Sequence, residues 1–130
     1  MGLSLEAFDR TIAYLKQREQ FGALIGSFQA LQHRAAQMQA DIELCRSVIL
    51  QALSSVDEAP EQLPLLASLA KAKLNELSKL ATNEAVQMHG GIGVTDELEI
   101  GFFLKRARVA MQIFGDTGFH KNRYATLCGY

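Results

Sequence analysis

The stretch from Ser27 to Ser54, SFQALQHRAAQMQADIELCRSVILQALS, decides the fold class. Its apolar residues Phe28, Leu31, Ala35, Met38, Ile42, Cys45, Ile49 and Ala52 recur in alternating steps of three and four. Side chains on a strand alternate with a period of two and cannot carry that pattern, whereas a helix of 3.6 residues per turn gathers them into one stripe. Ser27, just ahead of the stripe, reads as the N-cap. At 1.5 Å per residue this helix is expected to run roughly 40 Å.

The same spacing continues on both sides. Upstream, Leu5, Phe8, Ile12 and Leu15 mark a first helix, expected to close at Arg18-Glu19-Gln20-Phe21-Gly22 with the glycine as its stop. Downstream, the only prolines, Pro60 and Pro64, punctuate the chain after a polar stretch ending at Glu58. A third helix is expected from near Glu61, since proline is tolerated in a first turn. Its stripe is Leu66, Leu69, Ala70, Leu74, Leu77, Ala81, Ala85 and Met88, and Gly90-Gly91 ends it. Thr95 is expected to head a fourth helix, with Asp96 and Glu97 in the first turn where the helix dipole favours acids. Its stripe is Phe103, Ala107, Ala110 and Phe114; Gly115-Asp116-Thr117-Gly118 breaks it, and a short helix runs from Phe119 to Leu127. No segment alternates with a period of two. The expectation is an all-α fold, an antiparallel up-and-down bundle of four main helices plus a short C-terminal helix, forming one domain over 1–130.

Composition narrows the function classes. Of the 130 residues, 48% are hydrophobic and 21% charged, which suits a packed core rather than disorder. Thirteen Lys and Arg against fourteen Asp and Glu leave a net charge of −1, so there is no polycation for nucleic acid. No apolar run is long enough for a membrane span, and the start has neither a leader pattern nor a myristoylation pattern, so a cytoplasmic protein is expected. Cys45 and Cys128 make neither a disulfide framework nor a metal cluster. His33, His89 and His120 are far apart and read as surface or hydrogen-bonding residues; Cys45, Met38, Met88 and Met111 read as core. The sequence contains no P-loop, GxGxxG, HExxH or CxxC, and no metal site is expected.

Three local features stand above this background. Arg18 through Gly22 pairs an arginine, able to fork onto a phosphate, with Phe21, whose ring face suits an aromatic ligand; the plainer reading is a surface arginine beside a helix end. Gln87-Met88-His89-Gly90-Gly91-Ile92-Gly93 sets glycines where a ligand could approach the backbone, or where a helix simply ends. Lys105, Arg106 and Arg108 form a basic cluster, ordinarily a solvated face.

Taken in order, Tyr14 to Gly22, Ile25 with Phe28-Gln29, Gln87 to Gly93, and Phe103-Leu104-Lys105-Arg106 resemble the C-terminal helical domain of the acyl-CoA dehydrogenase family. The resemblance covers about Leu5 to Tyr124. It implies FAD, held between domains and across a subunit interface, and oxidation of an acyl-CoA to the 2,3-enoyl-CoA. It assigns Arg18 to the FAD pyrophosphate of a neighbouring subunit and puts Phe21 close to the cofactor. Phe28 and Gln29 then line the flavin site, and Gln87, Met88, His89, Gly90 and Gly91 follow the adenosine-diphosphate portion. Implied partners are the acyl-CoA, further subunits in a homo- or hetero-oligomer, and an electron-transferring flavoprotein.

The resemblance also exposes a departure. Many members place a catalytic glutamate in a Tyr-Glu-Gly-Thr segment after the fourth helix, where this chain has Phe114-Gly115-Asp116-Thr117. Gly115 cannot accept a proton, so three readings stay open: a base upstream of Met1, Asp116 serving after a one-residue shift, or a non-catalytic subunit completing a partner's FAD site. Phe-Gly-Asp at this point is similar to a branch acting on bulky or steroid-type acyl-CoAs. The family's N-terminal helical and β-barrel domains lie outside these 130 residues, so the chain by itself is expected to be inactive and to self-associate.

Overall fold

A computed structural model describes all residues, 1–130. Helices α1 (Gly2–Leu15), α2 (Gln29–Glu58), α3 (Leu63–His89), α4 (Ile100–Gln112) and α5 (Thr117–Cys128) account for most of the chain. The all-α bundle is therefore as expected. Its directions follow from pairs that join the helices. Ser4 meets Ser78 and Tyr14 meets His89, so α1 runs with α3. Arg34 pairs with Glu84 and Cys45 reaches the Lys73 carbonyl, so α2 runs against it. Ile100 at the start of α4 packs on Ala85, while Lys71 and Asn75 donate to the carbonyls of Ala110 and Met111 at its end, so α4 also runs against α3. Helix α5 lies back along α3 through Lys121–Glu76 and Arg123–Ser68. No helix is long and apolar enough to cross a membrane.

The core sits where the stripes meet. Met38, Ile42 and Cys45 of α2 pack with Leu77, Ala81 and Met88 of α3, Leu15 of α1 and Ile25. A smaller cluster of Ala7, Ala85 and Ile100 ties α1, α3 and α4. Burial pushes the Cys45 thiol up, consistent with its place in the core.

Several boundaries differ from the sequence expectation, each for a local reason. Helix α1 stops at Leu15, and the Arg18–Gly22 segment is not a helix end but a hairpin: β1 (Glu19–Gln20) pairs antiparallel with β2 (Ala23–Leu24). Phe21 and Gly22 both take positive φ, 56° and 76°, as the mirror-image turn joining twisted strands requires. Two-residue strands are too short to show any alternation. Ser27 is not the N-cap of α2: Phe28 takes that position, while the Ser27 hydroxyl donates to the Leu24 carbonyl inside a 3-10 turn. Helix α2 also runs past Ser54 to Glu58, and the third helix starts at Leu63 after a 3-10 turn over Pro60–Gln62. Thr95 does not head α4; its hydroxyl accepts from the Glu97 N–H in a turn, and the helix begins only at Ile100. Phe114 lies beyond α4 instead of in its stripe. Helix α5 starts early, because Asp116 caps it by accepting from the Phe119 N–H at 2.8 Å.

Two predictions follow from this packing. Ile42 has no exposed surface and Leu44 is 61% exposed, so Ile42→Ala should cost about 2–5 kcal/mol and Leu44→Ala under ~0.5 kcal/mol in urea unfolding. The Lys121 ammonium, and after it Lys73, holds the Glu76 carboxyl below its ordinary value of 4.5. A lowered folded pKa contributes stability above pH 4.5 that is lost as pH falls through the folded value. The acid limb of unfolding should therefore be shallower in Glu76→Gln.

Candidate functional site

The hairpin presents its side chains outward. Phe21 is 92% exposed and meets Phe28 edge-on, ring centroids 6.3 Å apart. Arg18 is exposed, forms no ion pair within the chain, and lends its carbonyl to Ile25 N at 2.9 Å, which fixes the hairpin base. Gln29 opens α2, whose N-cap Phe28 has no side chain to satisfy the first backbone N–H groups. An unpaired guanidinium, the exposed Phe21 ring with half-buried Phe28 beside it, and free amide donors at the start of a long helix form a set that fits a diphosphate bearing an aromatic group.

The second segment lies at the same end, because α3 finishes where α2 begins. Within it, Gln87, Gly90 and Gly91 are exposed, whereas Met88 and His89 are buried. Met88 belongs to the main core. His89 stacks on Tyr14 with centroids 4.3 Å apart, and its Nδ1 lies 2.7 Å from the Ala85 carbonyl. A carbonyl only accepts, so Nδ1 carries the proton. The Tyr14 hydroxyl donates to the His89 carbonyl at 3.3 Å, tying the end of α1 to the end of α3. Gly90 takes φ 67° and ψ −146°, a conformation that glycine enters without strain. A Cβ at Gly90 or Gly91 would meet nothing within 4 Å, so a ligand can reach this backbone directly.

The α4–α5 corner is elsewhere on the molecule. Phe114 and Gly115 have φ of 62° and 103°. The Asp116 carboxylate is taken up in capping α5. Beside the corner, between α3, α4 and the start of α5, a cleft of about 520 Å3 is lined by Lys79, Thr82, Asn83 and Arg108 among others. Neither Lys79 nor Arg108 has an ion-pair partner in the chain, and the one acid in the lining is Asp116. In the basic cluster, Lys105 instead lies over the Phe102 ring at 5.5 Å.

Comparison with known proteins places this arrangement. The family model described as acyl-CoA dehydrogenase, C-terminal domain, matches residues 1–126. The chain belongs to the acyl-CoA dehydrogenase family. It is 37% identical over 115 residues to acyl-CoA dehydrogenase IpdE2 of Mycolicibacterium smegmatis, covering 88% of this chain and 35% of that protein. It superposes on butyryl-CoA dehydrogenase from Megasphaera elsdenii with a TM-score of 0.92 at 25% identity, covering 98% of this chain and 33% of the other. The Tcur3481-Tcur3483 steroid ACAD, in a glycine-to-alanine variant, gives a TM-score of 0.92 at 29% identity over 98% of this chain and 35% of its own. The chain thus spans about a third of the length of each relative.

Within this acyl-CoA dehydrogenase domain, the structure brings Arg18, Phe21, Phe28, Gln29 and the Gln87–Gly91 segment to one end of the bundle and leaves Gly115 and Asp116 at a separate corner. Lys79, Thr82 and Asn83 were missed by the sequence reading. Their signal is polar residues on either side of the apolar Leu80-Ala81, which mark a cleft only once α4 and α5 are placed. Phe21 in a left-handed turn contributes little to the fold, and asparagine accepts that conformation more readily. Phe21→Asn should therefore leave the thermal midpoint unchanged or raise it; a clear drop would show that the ring supports the hairpin itself.

Proposed function

We propose that this chain is the C-terminal FAD-binding and oligomerisation domain of a flavin-dependent dehydrogenase that oxidises an acyl-CoA to the 2,3-enoyl-CoA. The observation that carries the reading is the convergence of Arg18, which has no partner of its own, the exposed Phe21 ring, the uncapped start of α2 and the open glycine turn after His89. Bound FAD supplies a hydride acceptor for the β-carbon of the thioester. The chain's own residues bind and orient. The Arg18 fork holds the pyrophosphate, Phe21 and Phe28 give an aromatic wall, and Gln29 offers an amide at the first turn of α2. Exposed Gln87, Gly90 and Gly91 follow the adenosine-diphosphate portion, while Met88 and His89, with their side chains inside the bundle, set the course of that backbone. Likeness to a steroid ACAD supports a bulky, ring-bearing acyl-CoA as substrate, and an electron-transferring flavoprotein is the electron acceptor in this reading.

Gly115 favours a second reading beside the first. With glycine at the corner, the segment after α4 offers only the Asp116 carboxylate, whose Oδ1 caps α5. The base is then Asp116, or comes from a part of the protein outside these 130 residues, or this chain completes the FAD site of a partner subunit that carries one.

The deciding experiment takes the intact protein with whatever co-elutes and titrates it anaerobically with acyl-CoAs of graded size. Bleaching of a bound flavin by one class identifies the dehydrogenase and its substrate; flavin that binds but never bleaches supports the partner-completing subunit. In either case Arg18→Ala should weaken FAD binding about 10- to 100-fold, the worth of a charged hydrogen bond, with Arg18→Lys in between. Unchanged FAD affinity in Arg18→Ala would overturn the reading.

A further inference from the structure

The α4–α5 corner contains the one buried side-chain polar atom in the chain without a partner, His120 Nδ1. His120 is only 7% exposed. Its other nitrogen, Nε2, lies 2.9 Å from the Phe114 carbonyl, and since a carbonyl only accepts, Nε2 carries the proton and donates. The Phe119 ring stands edge-on to the imidazole, centroids 5.0 Å apart. A leucine or isoleucine would fill the same space without stranding a nitrogen, but it would lack the donor to Phe114. The bond closes over two consecutive residues at positive φ, Phe114 and Gly115. A Cβ built on Gly115 would stand 2.6 Å from Phe119 Cδ1 and 3.0 Å from His120 Nε2. Phe119 is largely exposed and its ring can swing aside; His120 is buried and held by its hydrogen bond, so it cannot.

We infer that His120 is a positioning residue: its Nε2–H bond to the Phe114 carbonyl braces the Phe114–Gly115 reversal in a form that crowds any side chain at 115 and turns the Phe114 ring outward. The ring is 90% exposed. The absence of a carboxylate at position 115 is thus built into two positions, 115 and 120, and Gly115→Glu alone does not place one there without displacing His120. That the corner borders the thioester rests on the function proposed above; the bracing does not.

The test is a double-mutant cycle in the intact protein, with FAD content measured on the same samples. Gly115→Ala should lower the thermal midpoint by about 4 °C or more in the native background, and by no more than half as much beside His120→Ala, which clears the space at 120 and leaves the backbone strain and the movable Phe119 ring. The carbonyl carbon resonance of Phe114 should move in His120→Leu and return in His120→Gln, whose amide N–H can donate in place of Nε2–H. Equal losses in both backgrounds, or a Phe114 resonance that ignores position 120, would overturn the inference. Should the His120 variants fail to fold, the imidazole nitrogen spectrum of the unmutated protein decides: protonation at Nε2 supports the bond, and protonation at Nδ1 excludes it. None of these readings needs flavin. Loss of FAD binding with intact coupling therefore counts against the proposed function, and intact flavin without coupling counts against His120 alone.

Discussion

Everything in this bundle depends on α3 being packed by four other helices at once. A helix surrounded in that way can keep large side chains on only part of its surface, because interaxial distances near 8–10 Å leave little room at the other contacts. The sequence of α3 meets the constraint with small residues. Ser68, Ala72, Ala81, Thr82 and Ala85 are all buried, and the larger Leu66, Leu77 and Met88 lie among them. The hydroxyls this buries are not left unpaired: Ser68 and Thr82 donate to the carbonyls of Pro64 and Ser78, one turn back. Polar side chains of α3 also terminate its neighbour, since Lys71 and Asn75 reach the free carbonyls at the end of α4, where the helix dipole favours a cation.

The same constraint puts the candidate cofactor end where it is. Because α1 runs with α3 and α2 against it, the end of α1, the hairpin, the start of α2 and the end of α3 must share one end of the molecule. Tyr14 and His89 are the joint, combining ring stacking with a hydrogen bond from one helix end to the other. Residues 18 and 87 are far apart in sequence, yet the topology leaves them little freedom to separate. His89, almost wholly buried, thus fixes the level at which the glycine turn leaves α3.

What the sequence made legible follows the physics of each signal. Long stripes such as Phe28 to Ala52 and Leu66 to Met88 are averages over many residues, and they located both long helices and most of the core. Boundaries depend on single hydrogen bonds, and there the reading slipped. Ser27 looks like a cap but bonds backward to Leu24, and Thr95 caps a turn rather than a helix. The hairpin was invisible because its register is carried by two residue pairs and by the backbone of Phe21-Gly22, not by any side-chain pattern. The candidate site residues form a group in the sequence only through their order along the chain; that Met88 and His89 face inward while Gln87 faces out is a matter of helical phase, set by packing.

The two Phe-Gly corners show how one dipeptide serves different ends. Phe21-Gly22 and Phe114-Gly115 both take positive φ at both residues, and both leave an exposed ring on a residue that pays strain to be there. At the first corner the strain is balanced by a hydrogen-bond ladder and by Ile25 N bonded to the Arg18 carbonyl, all backbone, so the identity of the ring is free to answer to a ligand. At the second there is no ladder. A side chain from the next helix, His120, supplies the brace, and it does so from the space a residue larger than glycine would need. Position 115 is thereby tied to position 120 in a way position 22 is tied to nothing: a Cβ on Gly22 meets no atom within 4 Å. In sequence, Gly115 reads as a missing acid. In the fold it is one half of a pair, and the other half is a buried histidine with an unpaired nitrogen.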